Sequence, residues 1–462
     1  MLASHPKIFF LFKTEFFQSA ICLLSAKQRR ERCKNVERDA RIGEYFVPLH
    51  DFILQGETDM NKADHYRFYP IVIIGAGPSG CACGIRLAKD GIDCCVIEKA
   101  TFPRVKLCAG VLTAKSRLLL KSLLGANDYA RLMEASLVAR ESRLRLWHRQ
   151  ECFVDCDFTR ADMLPPELQG TDCRIHLVDR PLFDQFLTKE FSRLGGQLIE
   201  GDGCEDIDFN NRTITLRSGC RIGYNFLVAA DGAVSHTEHL LQHYDPTFQR
   251  KDINSEAFEV NVRRADAPID GVNIYFGFVP KTYAWAFSKD NKECLGFCKL
   301  RGEHFKGNQA MDDFSSVIGL KNQEQYPLHA AMIPIGNPLR HPLWHNHVFF
   351  IGDAAGLNQP LTGEGIYDAL QSGVSAATSL IHEHPQEYLI DYSRLCRLIK
   401  KDAHYQQLIA HRLCYRVFQG LAAHHNRFVG YFYQTQIEHA CLHGFFHILY
   451  HYVKARSTMR QS

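Results

Sequence analysis

Tyr69–Ala100, YPIVIIGAGPSGCACGIRLAKDGIDCCVIEKA, reads as strand, tight turn, helix and strand. Ile71–Ile74 is a short β-branched run, the composition of a strand buried on both faces. Gly75, Gly77 and Gly80 then supply GxGxxG. The first permits the turn, the second lets the backbone approach a pyrophosphate, and the third lets helix and strand pack closely. A helix over about Pro78–Lys89 aims its first N–H groups at the phosphates. Gly91 ends that helix, and CCVIEK is the second strand. Glu98 closes it eighteen residues past Gly80, where a carboxylate accepts from both ribose hydroxyls and repels a 2′-phosphate. Ser79 in the turn and Lys99 beside Glu98 join the candidate cofactor contacts. This motif alone suits NAD as well as FAD.

Two later stretches bear on that choice. FLVAADGAVS, residues 226–235, has a buried strand running into Asp231-Gly232. VFFIGDAAGLNQPLTGEGIYDALQSG, residues 348–373, has a strand over Val348–Ile351, a glycine-rich loop and a helix from about Gly365. A ribityl chain offers hydroxyls to a carboxylate such as Asp353, and a helix N-terminus favours negative charge on a reduced flavin ring. Gly363, Gly365 and Ile366 would stand at that terminus. The ordinary reading of Asp353 taken alone is a strand-end cap.

Composition is that of a globular protein: 462 residues, 46% hydrophobic and 23% charged. A net charge of +3 implies no nucleic-acid partner. From Asp391 onward ten Lys/Arg face three Asp/Glu, or +7, so the tail suits a membrane surface, an acidic partner or a solvated helical face. His439, His443, His447 and His451 recur every fourth residue there; with few acids nearby, the wet edge of an amphipathic helix is favoured over a metal site. Seventeen cysteines without a CxxC pair suggest reduced thiols in a cytoplasmic setting, rather than a disulfide framework or zinc site. Within residues 1–59, KIFFLFKTEFFQSAICLLSA (7–26) is apolar but broken by Lys13 and Glu15, and the charged run KQRRERCK follows it, which suits neither a spanning helix nor a signal peptide. They read as a membrane-surface helix or as residues upstream of a start at Met60.

GxGxxG with Glu98, AADGAVS and GDAAGLNQPLTGEGIYDAL together resemble the large FAD-dependent oxidoreductase group that includes aromatic hydroxylases. FPRVKLCAGVL, DRPLFDQFL and YAWAFSKDNKECLGFC look like the geranylgeranyl reductase family within it. The resemblance, over about residues 69–390, implies FAD, a Rossmann-like α/β domain and an α+β insert whose antiparallel sheet roofs an isoprenoid cavity. It implies that Cys108, Ala109 and Gly110 form a loop beside the flavin ring, with Arg104 and Lys106 neutralising phosphate or reduced-flavin charge. Ala109 stands where glycine is commoner. Arg180 matches a flavin-contacting arginine, against the plainer reading of a surface ion pair with Asp184 at i+4. Cys204 falls near the adenine. Tyr283, Trp285 and Phe287 alternate as on one strand face; by resemblance they line the lipid cavity, and otherwise they pack a core. Ser288 replaces a usual proline and Cys298 a usual glycine. Cys108 either protonates or orients substrate, its thiol pKa lowered by the cations, or packs as a small polarisable residue against the ring.

The implied reaction is reduction of carbon–carbon double bonds in a polyprenyl, geranylgeranyl-like lipid or similar apolar molecule. Its electrons would come from NAD(P)H or a reductant protein, since there is one dinucleotide fingerprint. The expected layout is FAD-binding parts at 60–130, 176–240 and 336–390, substrate-domain parts at 131–175 and 241–335, and a basic, His-rich helical region at 391–462. The protein would be cytoplasmic, in contact with the inner face of a membrane. Two other functions compete: a flavin monooxygenase or halogenase on the same fold, though no WxWxIP signature occurs, and a non-catalytic flavin- and lipid-binding module.

Overall fold

A computed structural model describes residues 66–159, 172, 174–253, 255–279, 282–289, 292–302, 307–360 and 363–409. The N-terminal segment, the histidine stripe and most of the basic tail lie outside the described residues.

The central sheet grows from strand β1 (Tyr66–Ile74), whose last four residues are buried. Helix α1 (Pro78–Lys89) returns the chain to β2 (Cys94–Glu98), parallel to β1. On the far side of β1 lies β11 (Arg221–Ala229), followed by β18 (Val348–Phe350), both parallel. At the other edge β8 (Gln197–Glu200) extends β2. The short β17 (Leu343–Trp344) pairs antiparallel with β18, and a β9–β10 hairpin (Cys204–Asp208, Thr213–Leu216) is appended to β11. The chain reaches this sheet in three separate passes, so the motifs meet at the carboxyl ends of β1, β11 and β18. An open parallel sheet places its ligand at such strand ends. α4 (Arg180–Arg193) and α7 (Ile366–Ile381) pack against α1, covering the sheet face that its apolar strands require.

The second sheet has the order β16-β12-β15-β14-β13-β5-β6. These strands are β5 (Arg143–His148), β6 (Glu151–Asp157), β12 (Ser255–Arg263), β13 (Val272–Phe276), β14 (Tyr283–Lys289), β15 (Lys292–Leu300) and β16 (His329–Ile333). All neighbours are antiparallel except β13 and β5, which are parallel. The expectation of an antiparallel sheet is corrected at that one pair, where strands from two distant chain segments meet. The strand period of two separates the faces. Leu144, Leu146, Val272, Trp285 and Phe287 form one apolar cluster. Val260, Ala284, Leu295 and Phe297 form another on the opposite face, with Phe314 of α6 (Gly307–Ile318) packed onto it. A three-stranded sheet, β3 (Val111–Leu112), β7 (Ile175–Val178) and β4 (Leu137–Glu141), lies in the chain between the two. Helices α2 (Ala114–Leu124), α3 (Ala126–Ser136), α5 (His236–Tyr244) and α8 (Glu387–Ile409) complete the order.

Candidate active site

One cavity of about 1580 Å³ runs from the β1–α1 turn to the aromatic wall of the second sheet. It exceeds the roughly 300–1,000 Å³ of an ordinary small-molecule site, leaving room for a cofactor and a second, apolar ligand.

At its nucleotide end, Gly75 has φ +105° and lies against the Ala230 backbone. A Cβ on Gly80 would run into the Gly75 carbonyl oxygen. Gly80 is therefore the packing glycine beneath the cavity, and alone among the sequence-selected residues it does not line it. A Cβ on Gly77 would meet only Arg104 Nη2, at 3.6 Å, so the backbone there faces open space of the kind a pyrophosphate needs. Glu98 is fixed in place: Oε2 accepts from Ala76 N at 2.9 Å and Oε1 from Ala100 N at 3.1 Å. Lys99, Cys204 and Arg217 line this end with it. Burial, then Asp231, pushes the Cys204 thiol up to about 12, which suits a packing residue and not a nucleophile.

Arg104 crosses the cavity floor, 3.7 Å from Glu98 and 3.4 Å from Asp184, while Lys106 lines the wall beyond it. Arg180 and Asp184 do form the i,i+4 ion pair, with two bonds of 3.0 Å. The pair is not on the surface, however: Arg180 is 6% exposed and Asp184 0%. Arg180 also hydrogen-bonds Cys108; burial opposes its charge, but Asp184 and then Cys108 hold its pKa above the usual value. Cys108 Sγ accepts from Gly110 N at 3.4 Å. Gly110 adopts φ +75°, and a Cβ there would strike the Val178 carbonyl. With that turn borne by glycine, Ala109 fits the loop and packs against the apolar cluster of the second sheet.

Opposite, β18 delivers Gly352-Asp353, and Asp353, Gly363, Gly365 and Ile366 all line the cavity. The Tyr283 hydroxyl occupies the place of a Gly363 Cβ. Trp285 and Phe287 continue the wall from Tyr283.

Behind this loop the structure adds residues that the sequence reading did not select. Glu364 Oε1 accepts from Thr113 Oγ1 at 2.6 Å and Ser116 Oγ at 3.0 Å, and its Oε2 lies 2.6 Å from Lys115 Nζ. Lys115 sits over the Tyr367 ring. Burial opposes its charge, while Glu364 and then Asp368 hold its pKa above the ordinary value. Burial pushes the Asp368 carboxyl up to about 7, with Lys115 pulling the other way. VLTAKS and TGEGIYD each carried part of this network, but the spacing of 251 residues between Thr113 and Glu364 leaves no local signal.

An isoalloxazine–adenine ligand fits these residues. Gly77 leaves space at the turn, Arg104 Nε and the Asn358 amide oxygen are buried without a hydrogen-bond partner, and a helix N-terminus with carboxylate and cations surrounds the same cavity. Such an arrangement defines an FAD-dependent oxidoreductase. The FAD binding domain family matches residues 69–404, and the chain belongs to that family. An uncharacterized protein of Methanosarcina barkeri is 28% identical over 67% of this chain and 73% of its own length. A digeranylgeranylglycerophospholipid reductase of Methanococcus vannielii is 24% identical, over 74% and 84% respectively. Among solved structures, a geranylgeranyl bacteriochlorophyll reductase-like protein of Thermoplasma acidophilum superposes with a TM-score of 0.62 at 19% identity, covering 78% of this chain and 91% of that one.

Proposed function

We propose that the protein reduces isolated carbon–carbon double bonds in a polyprenyl, geranylgeranyl-like lipid. The observation that carries this reading is the continuity of one cavity between the nucleotide turn and a wall of Leu144, Leu146, Trp285 and Phe287. Gly77, Glu98, Arg104 and Arg180 would hold FAD at the nucleotide end, and the cofactor, once reduced by NAD(P)H or a reductant protein, would supply hydride for one alkene carbon. The neighbouring carbon then needs a proton, and Cys108 is the thiol at the junction between nucleotide end and apolar wall. Its proton is replaced from solvent, so each turnover adds two protons and two electrons, or two hydrogen atoms, to the lipid. Arg180 holds Cys108 in place, and the aromatic wall orients the chain and excludes water. No described helix is long and apolar enough to cross a membrane. We further propose that lipid reaches the cavity by contact with a membrane surface, for which the excess of Lys and Arg from Asp391 onward is suited.

The test is anaerobic. Protein loaded with FAD and reduced by dithionite is mixed with a geranylgeranyl lipid. Flavin reoxidation with a gain of two hydrogens per bond supports the reading. Product that forms only with oxygen and carries a hydroxyl moves the protein to the monooxygenase class. Reoxidation by no prenyl lipid favours a binding module.

A further inference from the structure

The sheet wall of the cavity is mostly apolar and carries one carboxylate. Glu259 is 4% exposed, lines the cavity and stands on the same face of β12 as Ala257. In register it opposes Gly296 of β15, which opposes Trp285 of β14. A side chain at Gly296 would collide with Trp285, whose Cε2 lies 2.6 Å from the position of a Cβ. The bare strand thus lets the indole lie across β15 toward Glu259. The Cys294 thiol lies beside Trp285 and Glu259 and donates weakly to the carboxylate, Trp285 Nε1 is buried without a hydrogen-bond partner, and Asn261 Nδ2 donates to Glu259 Oε1 at 3.3 Å. Among the described residues no Lys, Arg or His forms an ion pair with Glu259. A carboxylate has about four lone-pair sites, and one long amide bond with a weak thiol donor leaves it short of partners. Buried polar groups obtain theirs from whatever shares the site.

We propose that Glu259 is a specificity-determining residue that accepts a hydrogen bond from an uncharged hydroxyl on the lipid. This rests on the reading of the cavity as a prenyl-lipid site. The hydroxyl belongs to a prenyl alcohol or to a prenylated hydroquinone. A hydrocarbon or ether offers no donor, and a phosphate meets a like charge.

The experiment measures equilibrium binding to the FAD-loaded protein of four probes: geranylgeraniol, its methyl ether, geranylgeranyl monophosphate and a geranylgeranylated hydroquinone. The wild-type chain should bind at least one hydroxyl-bearing probe about tenfold tighter than the ether, the scale of one well-made hydrogen bond, and the tighter of the two names the source of the hydroxyl. Glu259→Leu should erase the difference, whereas Glu259→Gln, which keeps an acceptor, should retain part of it, with bound FAD unchanged in both. A wild-type protein that binds both hydroxyl probes no better than the ether, or prefers the phosphate, overturns this inference alone. Failure of all four probes to bind overturns the lipid reading of the cavity and this inference with it. Should Glu259→Leu not fold, the wild-type comparison and Glu259→Gln decide.

Discussion

Gly77 and Gly80 belong to the same motif but respond to opposite forces. Gly80→Ala drives a methyl into the Gly75 carbonyl, so it should cost stability on the scale of overpacking, about 1–3 kcal/mol, in a melt of the FAD-free protein. Gly77→Val has open space for its side chain beside Arg104. It should leave the FAD-free melt nearly unchanged and abolish the yellow colour. Equal losses of stability in the two variants would show that the space above Gly77 is not reserved for a ligand. The spacing of three glycines is a local code, so these roles are legible in the sequence itself. The depth of Arg180 was not, because an i,i+4 pair has the same spacing on a surface as in a core. Buried, Arg180 carries more weight: Arg180→Met leaves Asp184 only the longer contact with Arg104, and breaking such a pair costs up to about 3–5 kcal/mol. Adding Asp184→Leu should recover part of that loss, and denaturant unfolding of the single and double variants measures it.

The first turn of α7 shows what an element contributes beyond its residues. Its macrodipole favours negative charge at the N-terminus, and Glu364 is clamped there by α2 through Thr113, Ser116 and Lys115. Glu364→Gln should leave Lys115 with Asp368 as its remaining anion and loosen Gly363–Gly365 from α2. FAD affinity, followed by flavin fluorescence, should fall by about tenfold or more; an unchanged affinity would confine the network to structure. Asp368 in the same turn binds its proton more tightly folded than unfolded. Between the ordinary carboxyl value of about 4 and about 7, the fold therefore loses stability as pH rises. Asp368→Asn removes that loss, so its melting temperature should gain on the wild type from pH 5 to pH 8. A constant difference across that range would contradict the assignment. The helix itself was legible from its sequence. The cluster was not, since it is assembled from positions with no shared period.

Across the whole molecule, three chain passes build one ligand-binding edge, and two more build the sheet that faces it. The fold class could be read from the sequence because each pass carries its own strand–turn–helix signature. Alternation in YAWAF likewise marked which side chains share a face of β14. What could not be read was register: that Glu259, Gly296 and Trp285 form one row depends on how β12, β15 and β14 align, which no single strand encodes. Binding to the folded state alone stabilises by mass action, about 2.7 kcal/mol at a hundredfold excess over Kd. Excess FAD should therefore raise the melting temperature, and NAD at the same concentration should not. A matching shift with NAD would remove the flavin assignment.

The missing side chain at Gly296 has a consequence for catalytic reach. An indole that can recline over a bare strand keeps the far end of the chamber open, so that one hydrogen atom in β15 serves as the stop of a molecular ruler. Fitting even a methyl group there would tip the ring forward, and the longest isoprenoid the protein accepts should then be shorter by some number of its five-carbon units.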